Sequence, residues 1–172
     1  MSRRASTLRL ADDRLGAEAR AAPDDHVALR VWLRLLACSN DIEREIRRRL
    51  RARFGVTLAR FDYLAQLHRH PQGLRMNALS KYLMVTGGNV TGLTDELEKD
   101  GFVRRESDPD DRRSWRVALT SEGRRSFEAM AREHEGWVVE LLAPLDDRAQ
   151  HQLLDLLGRL RLGLHHEEPN DD

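Results

Sequence analysis

Apolar positions along this 172-residue chain follow two rhythms. From His26 to Phe54 the residues Val27, Val31, Leu35, Ile42, Ile46 and Leu50 recur at steps dominated by four, interrupted near Cys38. That spacing marks one face of an amphipathic helix, which Gly55 stops. At 1.5 Å per residue the helix is about 40 Å long, more than a small globule needs, and suggests that it reaches across a partner. A second helix is predicted from Leu58 to His70, with Phe61, Leu64, Ala65 and His68 on one side and "HPQG" ending it. A third, short one spans Met76 to Leu83. After Gly101 the period drops to two: "FVRRE", a turn "SDPDDRR", then "SWRVALT" with Trp115, Val117 and Leu119 alternating, which predicts a hairpin. Thr120 or Ser121 then caps a helix with Glu122 in its first turn, running to about Leu142, where "APLDD" breaks it. A last helix from Arg148 to Leu164 carries Leu153, Leu154, Leu157, Leu160 and Leu164. Residues 1–25, ending in "APDD", form an arm, and 165–172 a solvated tail.

The segment between the third helix and the hairpin, "LMVTGGNVTGLTDELEKDG", is helical in its second half, yet Gly87, Gly88 and Gly92 sit where that helix begins. Each glycine costs a helix roughly 1 kcal/mol relative to alanine. On a wheel of about 100° per residue, Val90, Leu93 and Leu97 cluster, with Thr86 nearby. Gly88, Gly92, Asp95 and Lys99 fall opposite, flanked by Asn89 and Thr91. The helix therefore has an apolar back and a bare front, which lets a large surface approach the backbone. A phosphate-binding loop would need Gly-Lys-Ser/Thr after a strand. Here a helix precedes the glycines and Asn89-Val90-Thr91 follow them, so that reading fails.

Helix, tight turn, helix and hairpin with a charged tip make a winged helix-turn-helix. The second helix of such a motif enters the major groove. Asn89 suits bidentate contact to adenine; Ser80, Thr86 and Thr91 suit bases or phosphates; Gly88 and Gly92 leave room for them. At the tip, Asp111 is placed to brace Arg113, and Arg112 and Arg113 suit a narrow, strongly negative minor groove.

Composition narrows the picture. Net charge is zero, so any nucleic-acid face arises from local placement rather than a global field. Of 29 basic residues only Lys81 and Lys99 are lysines; arginine suits forked phosphate and guanine contacts, although GC-rich coding gives the same bias. Aromatics at 5% argue against a large β-sandwich. Cys38 is alone, so neither an intrachain disulfide nor a cysteine zinc cage is available. No apolar run approaches the roughly 18 residues of a membrane span, and the N-terminus lacks the apolar centre of a secretory signal, so cytoplasm is the default. No nucleophile, base and orienting group share a pocket-forming pattern, so no enzyme and no cofactor are expected.

"MNALSKYLMVTGGNVTGLTDELEKDGFVRRE" and the wing "DPDDRRSWRVALTSEG", with Asp111-x-Arg113, Leu119-Thr120 and Gly123, resemble the MarR family of bacterial transcriptional regulators. The likeness covers roughly residues 26–163. It implies a mainly α fold with a small β-hairpin wing: a winged helix-turn-helix (58–120) and a helical dimerisation region (26–54 and 121–164). The partners it implies are a second copy of the chain and double-stranded DNA carrying a pseudo-palindromic operator. The stretch from Arg53 to Leu93 further resembles regulators of aromatic-acid catabolism, especially those answering hydroxycinnamoyl-CoA thioesters.

In such proteins a small aromatic ligand sits between the dimer helices and the winged domain, which points to Trp32, Leu36, Asn40, Arg60, Phe61, Leu64, His134 and Trp137. Arg60 is the candidate partner for a carboxylate or thioester, and Arg44, Arg47, Arg48 and Arg51 for a CoA tail. Each has a plainer role open to it, as core or as solvated charge. The expected function is a ligand-released repressor. The alternative is a redox sensor using Cys38 or a metal sensor of the same fold, although His68-x-His70 and His165-His166 make no ligand set of three or four.

Overall fold

The computed structural model describes residues 27–83, 87–107 and 115–165. The N-terminal arm, Thr86, the wing tip and nearly all of the C-terminal tail lie outside these. The chain divides into two compact units, Met1–Leu58 and Ala59–Asp172.

In the first unit, α1 runs from Val27 to Phe54. Its predicted stripe is covered only towards the C-terminus. Ile46 and Leu50 are buried, whereas Val27 and Val31 are 74% and 52% exposed. The polar side is laced by pairs one turn apart: Arg44 with Asp41, Arg47 with Glu43, and both Arg48 and Arg49 with Glu45. Hydrogen bonds from Arg48 and then Arg49 pull the Glu45 carboxyl down to about 2. Three of the four arginines considered for an acidic tail, Arg44, Arg47 and Arg48, are thus engaged by neighbours on their own helix. Such exposed pairs add little stability each.

The remaining elements are α2 (Leu58–Arg69), β1 (Leu74–Arg75), α3 (Met76–Leu83), α4 (Gly87–Lys99), β2 (Val103–Ser107), β3 (Trp115–Leu119), α5 (Ser121–Leu142) and α6 (Asp147–His165). The three strands form an antiparallel sheet in the order β1-β3-β2. Strand β1 was not predicted. Two residues are too short to show a period, and the "HPQG" before them reads only as a helix end. Tyr63, Leu64, Leu67, Leu79, Val90, Leu97, Val103, Val117 and Met130, none more than 2% exposed, form the core that fixes α4 behind the wing.

Strand β3 departs from simple alternation. Val117, Ala118 and Leu119 are all buried, and Trp115, expected inward, is 54% exposed. The cause is position in the sheet. Strand β1 pairs only with Arg116 and Val117, so Trp115 lies past the covered part, opposite Ser107 of β2.

Two joints set the geometry around α4. At its C-terminus Gly101 takes φ +77°, Phe102 N–H donates to Leu97 C=O (2.9 Å) and Gly101 N–H to Glu98 C=O (2.9 Å). This glycine-terminated turn satisfies the last carbonyls and launches β2. At the far end of β3, Thr120 caps α5, its hydroxyl accepting from Gly123 N–H at 3.0 Å.

Helix α6 is exposed along its length, Leu154 and Leu164 each to 71%. An apolar cleft of about 310 Å³, lined by Leu142, Leu145, Leu153, Leu154 and Leu157 with Gln150 and His151, lies where α5 meets α6. No described helix is long and apolar enough to cross a membrane.

Candidate nucleic-acid interface

Helix α4 presents two faces of opposite character. Its back is Val90, Thr94 and Leu97, each 0% exposed. The wheel had placed Leu93 rather than Thr94 here; Leu93 is half-buried. Thr94 is admitted to the core because every polar atom is satisfied. Its hydroxyl donates to Val90 C=O at 2.7 Å and accepts from Tyr63 O–H of α2 at 2.5 Å. Burial pushes the Tyr63 hydroxyl up to about 12, against about 10 in an unfolded chain. A raised folded value means that Tyr63's contribution is complete below pH 10 and is lost as pH rises through 12. Tyr63→Phe should therefore lower stability by about 1 kcal/mol at neutral pH. It should also flatten the fall in melting temperature between about pH 10 and about pH 12, a comparison thermal denaturation makes directly.

The front of α4 is open. Gly88, Asn89, Thr91, Gly92, Asp95 and Lys99 are all exposed. A Cβ built on Gly88 or Gly92 meets nothing within 4 Å, and neither residue adopts a positive φ. Thr91 donates its hydroxyl to Gly87 C=O at 3.0 Å. Ser80 on α3 is half-buried, with Oγ 4.0 Å from a Cβ built on Gly87. The structure thus gathers Gly88, Asn89, Thr91 and Gly92 on one exposed surface, with Ser80 at its edge. Thr86, Asp111, Arg112 and Arg113 lie outside the described residues.

The stem of the wing holds a residue that periodicity did not single out. Arg105 on β2 sends its guanidinium to both Glu98 and Asp95 of α4, and its backbone N–H donates to Glu98 Oε1 at 3.2 Å. The signal was present in the sequence as two carboxylates three positions apart with an arginine just beyond the turn. Arg104 instead donates to Leu119 C=O at 2.7 Å, tying β2 to the end of β3.

The small-molecule candidates divide between the units. Trp32, Leu36 and Asn40 are exposed on α1 of the first unit, Trp32 to 58%. In the second, Phe61, Leu64 and Trp137 are buried. The half-buried His134 ring stacks on Phe61 at 4.9 Å between centroids, and the Phe127 ring lies 5.5 Å from Phe61, tilted to it. Arg60, proposed as a carboxylate partner, is paired with Asp100 just past the end of α4. Its charge is already met within the unit.

His68 lies 3.5 Å from Glu128 and against Phe127. His70 donates from Nδ1 to Gln66 C=O at 2.8 Å. Among the described residues no group of three or more His, Cys, Asp or Glu is arranged to hold a metal. Cys38 is exposed.

Known proteins resemble this architecture. A sequence model of the MarR family matches residues 54–114, which hold α2 through β2. The transcriptional activatory protein BadR of Rhodopseudomonas palustris is 33% identical over 124 residues, covering 71% of this chain and 70% of that relative. The transcriptional regulator PecS of Dickeya dadantii is 30% identical over 111 residues, 63% of this chain and 67% of its own. A MarR family regulator from Silicibacter pomeroyi superposes with a TM-score of 0.67 at 32% identity, over 86% of this chain and 100% of that one. Another, from Streptomyces coelicolor and solved in complex with DNA, gives a TM-score of 0.68 at 28% identity, over 83% and 92%.

Proposed function

Because this chain belongs to the MarR family of winged-helix transcriptional regulators, we propose that it binds a pseudo-palindromic operator as a homodimer and leaves it when a small aromatic ligand binds. The observation that carries the DNA reading is the bare front of α4, where two glycines have no conformational or packing reason to be glycine. A recognition helix has one: the duplex approaches the backbone. Asn89, Thr91 and Ser80 would meet base edges or phosphates there, and Thr86, Asp111, Arg112 and Arg113 extend the contact in the sequence reading.

Dimerisation is supported by what the single chain leaves uncovered. Val27, Val31 and Trp32 on α1 and the leucines of α6 present apolar area that a monomer would expose to water. In this reading 26–54 and 121–164 form the dimerisation region and 58–120 the reading domain, and successive half-sites on DNA require the two α4 helices to stand about 34–36 Å apart.

The sequence reading favours an aromatic ligand, in particular an aromatic acyl-CoA thioester. Release requires that ligand bind a conformer whose helices are wrongly spaced. A hundredfold loss of operator affinity corresponds to about 2.7 kcal/mol of coupling, reciprocal between the sites. Repression is the reading adopted, and an activator would use the same surfaces from a different operator position.

The test begins with duplexes selected by the protein from a random pool. The expected result is a dimer in sedimentation whose affinity falls steeply with salt. In thermal-shift screening, the aromatic acid or CoA ester that raises the melting temperature should also weaken operator binding. A monomer that selects no duplex overturns the reading. Loss of binding on peroxide treatment, abolished by Cys38→Ser, would favour the redox alternative, for which the exposure of Cys38 is the supporting observation.

A further inference from the structure

We infer that Arg105 is a positioning residue: by clamping Asp95 and Glu98 it fixes the rotation of α4 against the wing, and so sets base specificity without itself touching DNA. This rests on the assignment of α4 as the recognition helix.

The bare front leaves the angular setting of α4 to its buried back and its C-terminal end. Its N-terminal half has glycines in place of bracing side chains, and its back is held by Val90, Thr94 and Leu97 in line, with one hydrogen bond from Thr94 to Tyr63. Apolar contacts along one stripe resist translation better than roll. Asp95 and Glu98, three residues apart, are neighbours on the helix surface. Arg105 engages both through different guanidinium nitrogens, while its own N–H donates to Glu98. A forked cation bonded to two carboxylates defines an orientation, which a point charge would not.

The anchor of the fork is rigid. Arg105 pairs in register with Val117, which is 0% exposed on the central strand β3. Strand β2 is tied to the same helix by the Gly101 turn. Roll matters because side-chain tips lie roughly 6 Å from a helix axis. A roll of about 20° carries the Asn89 amide about 2 Å sideways, beyond the tolerance of a bidentate hydrogen bond.

The competing role is direct: Arg105 as a phosphate contact, with its carboxylates incidental. The two separate cleanly in titrations of the selected operator and of a scrambled duplex of equal length, each across a salt series. For Arg105→Gln the clamp predicts that preference for the operator falls about tenfold, that scrambled-duplex affinity holds, and that the salt slope is unchanged. A lost phosphate contact would weaken both duplexes alike and reduce the slope by about one, which would overturn the proposal. Approaching from the helix side, the Asp95→Asn, Glu98→Gln double variant should lose preference in the same way. If it binds the operator more tightly than wild type, the carboxylates only repelled phosphate and the clamp is wrong.

Coupling gives the third readout. Asn89→Ala should cost operator preference strongly in the wild-type background and little beside Arg105→Gln, because a misaligned amide has little left to lose. Additive losses would show that Arg105 does not act through α4. Arg105→Lys should recover only part of the preference. Should Arg105→Gln fail to fold, the carboxylate double variant carries the same test. A wild-type protein that selects no duplex would sink the DNA reading; a wild-type protein that selects one while the variants keep its preference sinks only the clamp.

Discussion

Replacing Gly88 with leucine is expected to cost specific DNA binding at least a hundredfold, about 2.7 kcal/mol, while fold and oligomeric state stay unchanged. Glycine is tolerated in a helix for a positive φ or for close packing, and Gly88 has neither: its backbone is helical and the space its Cβ would fill is empty. An isobutyl group there projects from the exposed front and holds a duplex away. Gly92→Leu makes the same argument from mid-helix, where removing glycine should also raise stability by about 0.5–1 kcal/mol. The pair of measurements decides the matter: melting temperature should hold or rise while operator affinity collapses. A leucine variant that still discriminates its operator would mean that the front of α4 faces solvent in the complex and that another surface reads the DNA.

How far this interface was visible beforehand depends on which residues carried a period. Residue spacing placed α3 at Met76–Leu83, the span observed, and put α5 between a Thr120 or Ser121 cap and about Leu142, where it runs from Ser121 to Leu142. The same wheel sorted Val90 and Leu97 from Gly88, Gly92, Asp95 and Lys99, as their burial does. What escaped was whatever depended on a partner distant in sequence. Thr94 is polar, and its hydroxyl is satisfied in the core by Val90 C=O one turn back and by Tyr63, 31 positions earlier, a partner that spacing along the helix does not reveal. Arg105 looks like one more surface charge until β2 is laid beside α4. Arg60 was read as a waiting cation because Asp100, 40 positions away, could not be placed beside it. Strand β1 exists only because β3 offers it an edge. The apolar positions of α1 and α6 were recognised as stripes, yet spacing alone does not say that a single chain leaves them uncovered.

The largest stability effect is expected at Gly123, whose role is invisible to periodicity. Thr120-Ser121-Glu122-Gly123 opens α5 with the cap hydroxyl accepting from the third helical N–H, the position where a capping box would carry Glu or Gln. No side chain fits there. A Cβ on Gly123 would lie 1.9 Å from the Phe102 carbonyl oxygen and 2.7 Å from its carbon, both backbone atoms, so no rotamer change relieves the overlap. That carbonyl is already committed, accepting from Thr120 N–H at 3.0 Å, and Phe102 N–H closes the turn that ends α4. Gly123→Ala must therefore push apart the end of α4, the start of β2 and the first turn of α5. The expected cost is about 3 kcal/mol or more, against about 1 kcal/mol for losing the cap hydroxyl alone in Thr120→Val. For a chain of this size that is a drop in melting temperature of roughly 6–12 °C, with Thr120→Val losing a third as much. If calorimetry finds the two variants equally stable, the helix start yields without disturbing Phe102, and the joint is softer than its geometry requires. If Gly123→Ala falls as expected yet binds operator normally at low temperature, α4 keeps its setting while this corner moves, leaving the wing stem as the element that orients the helix.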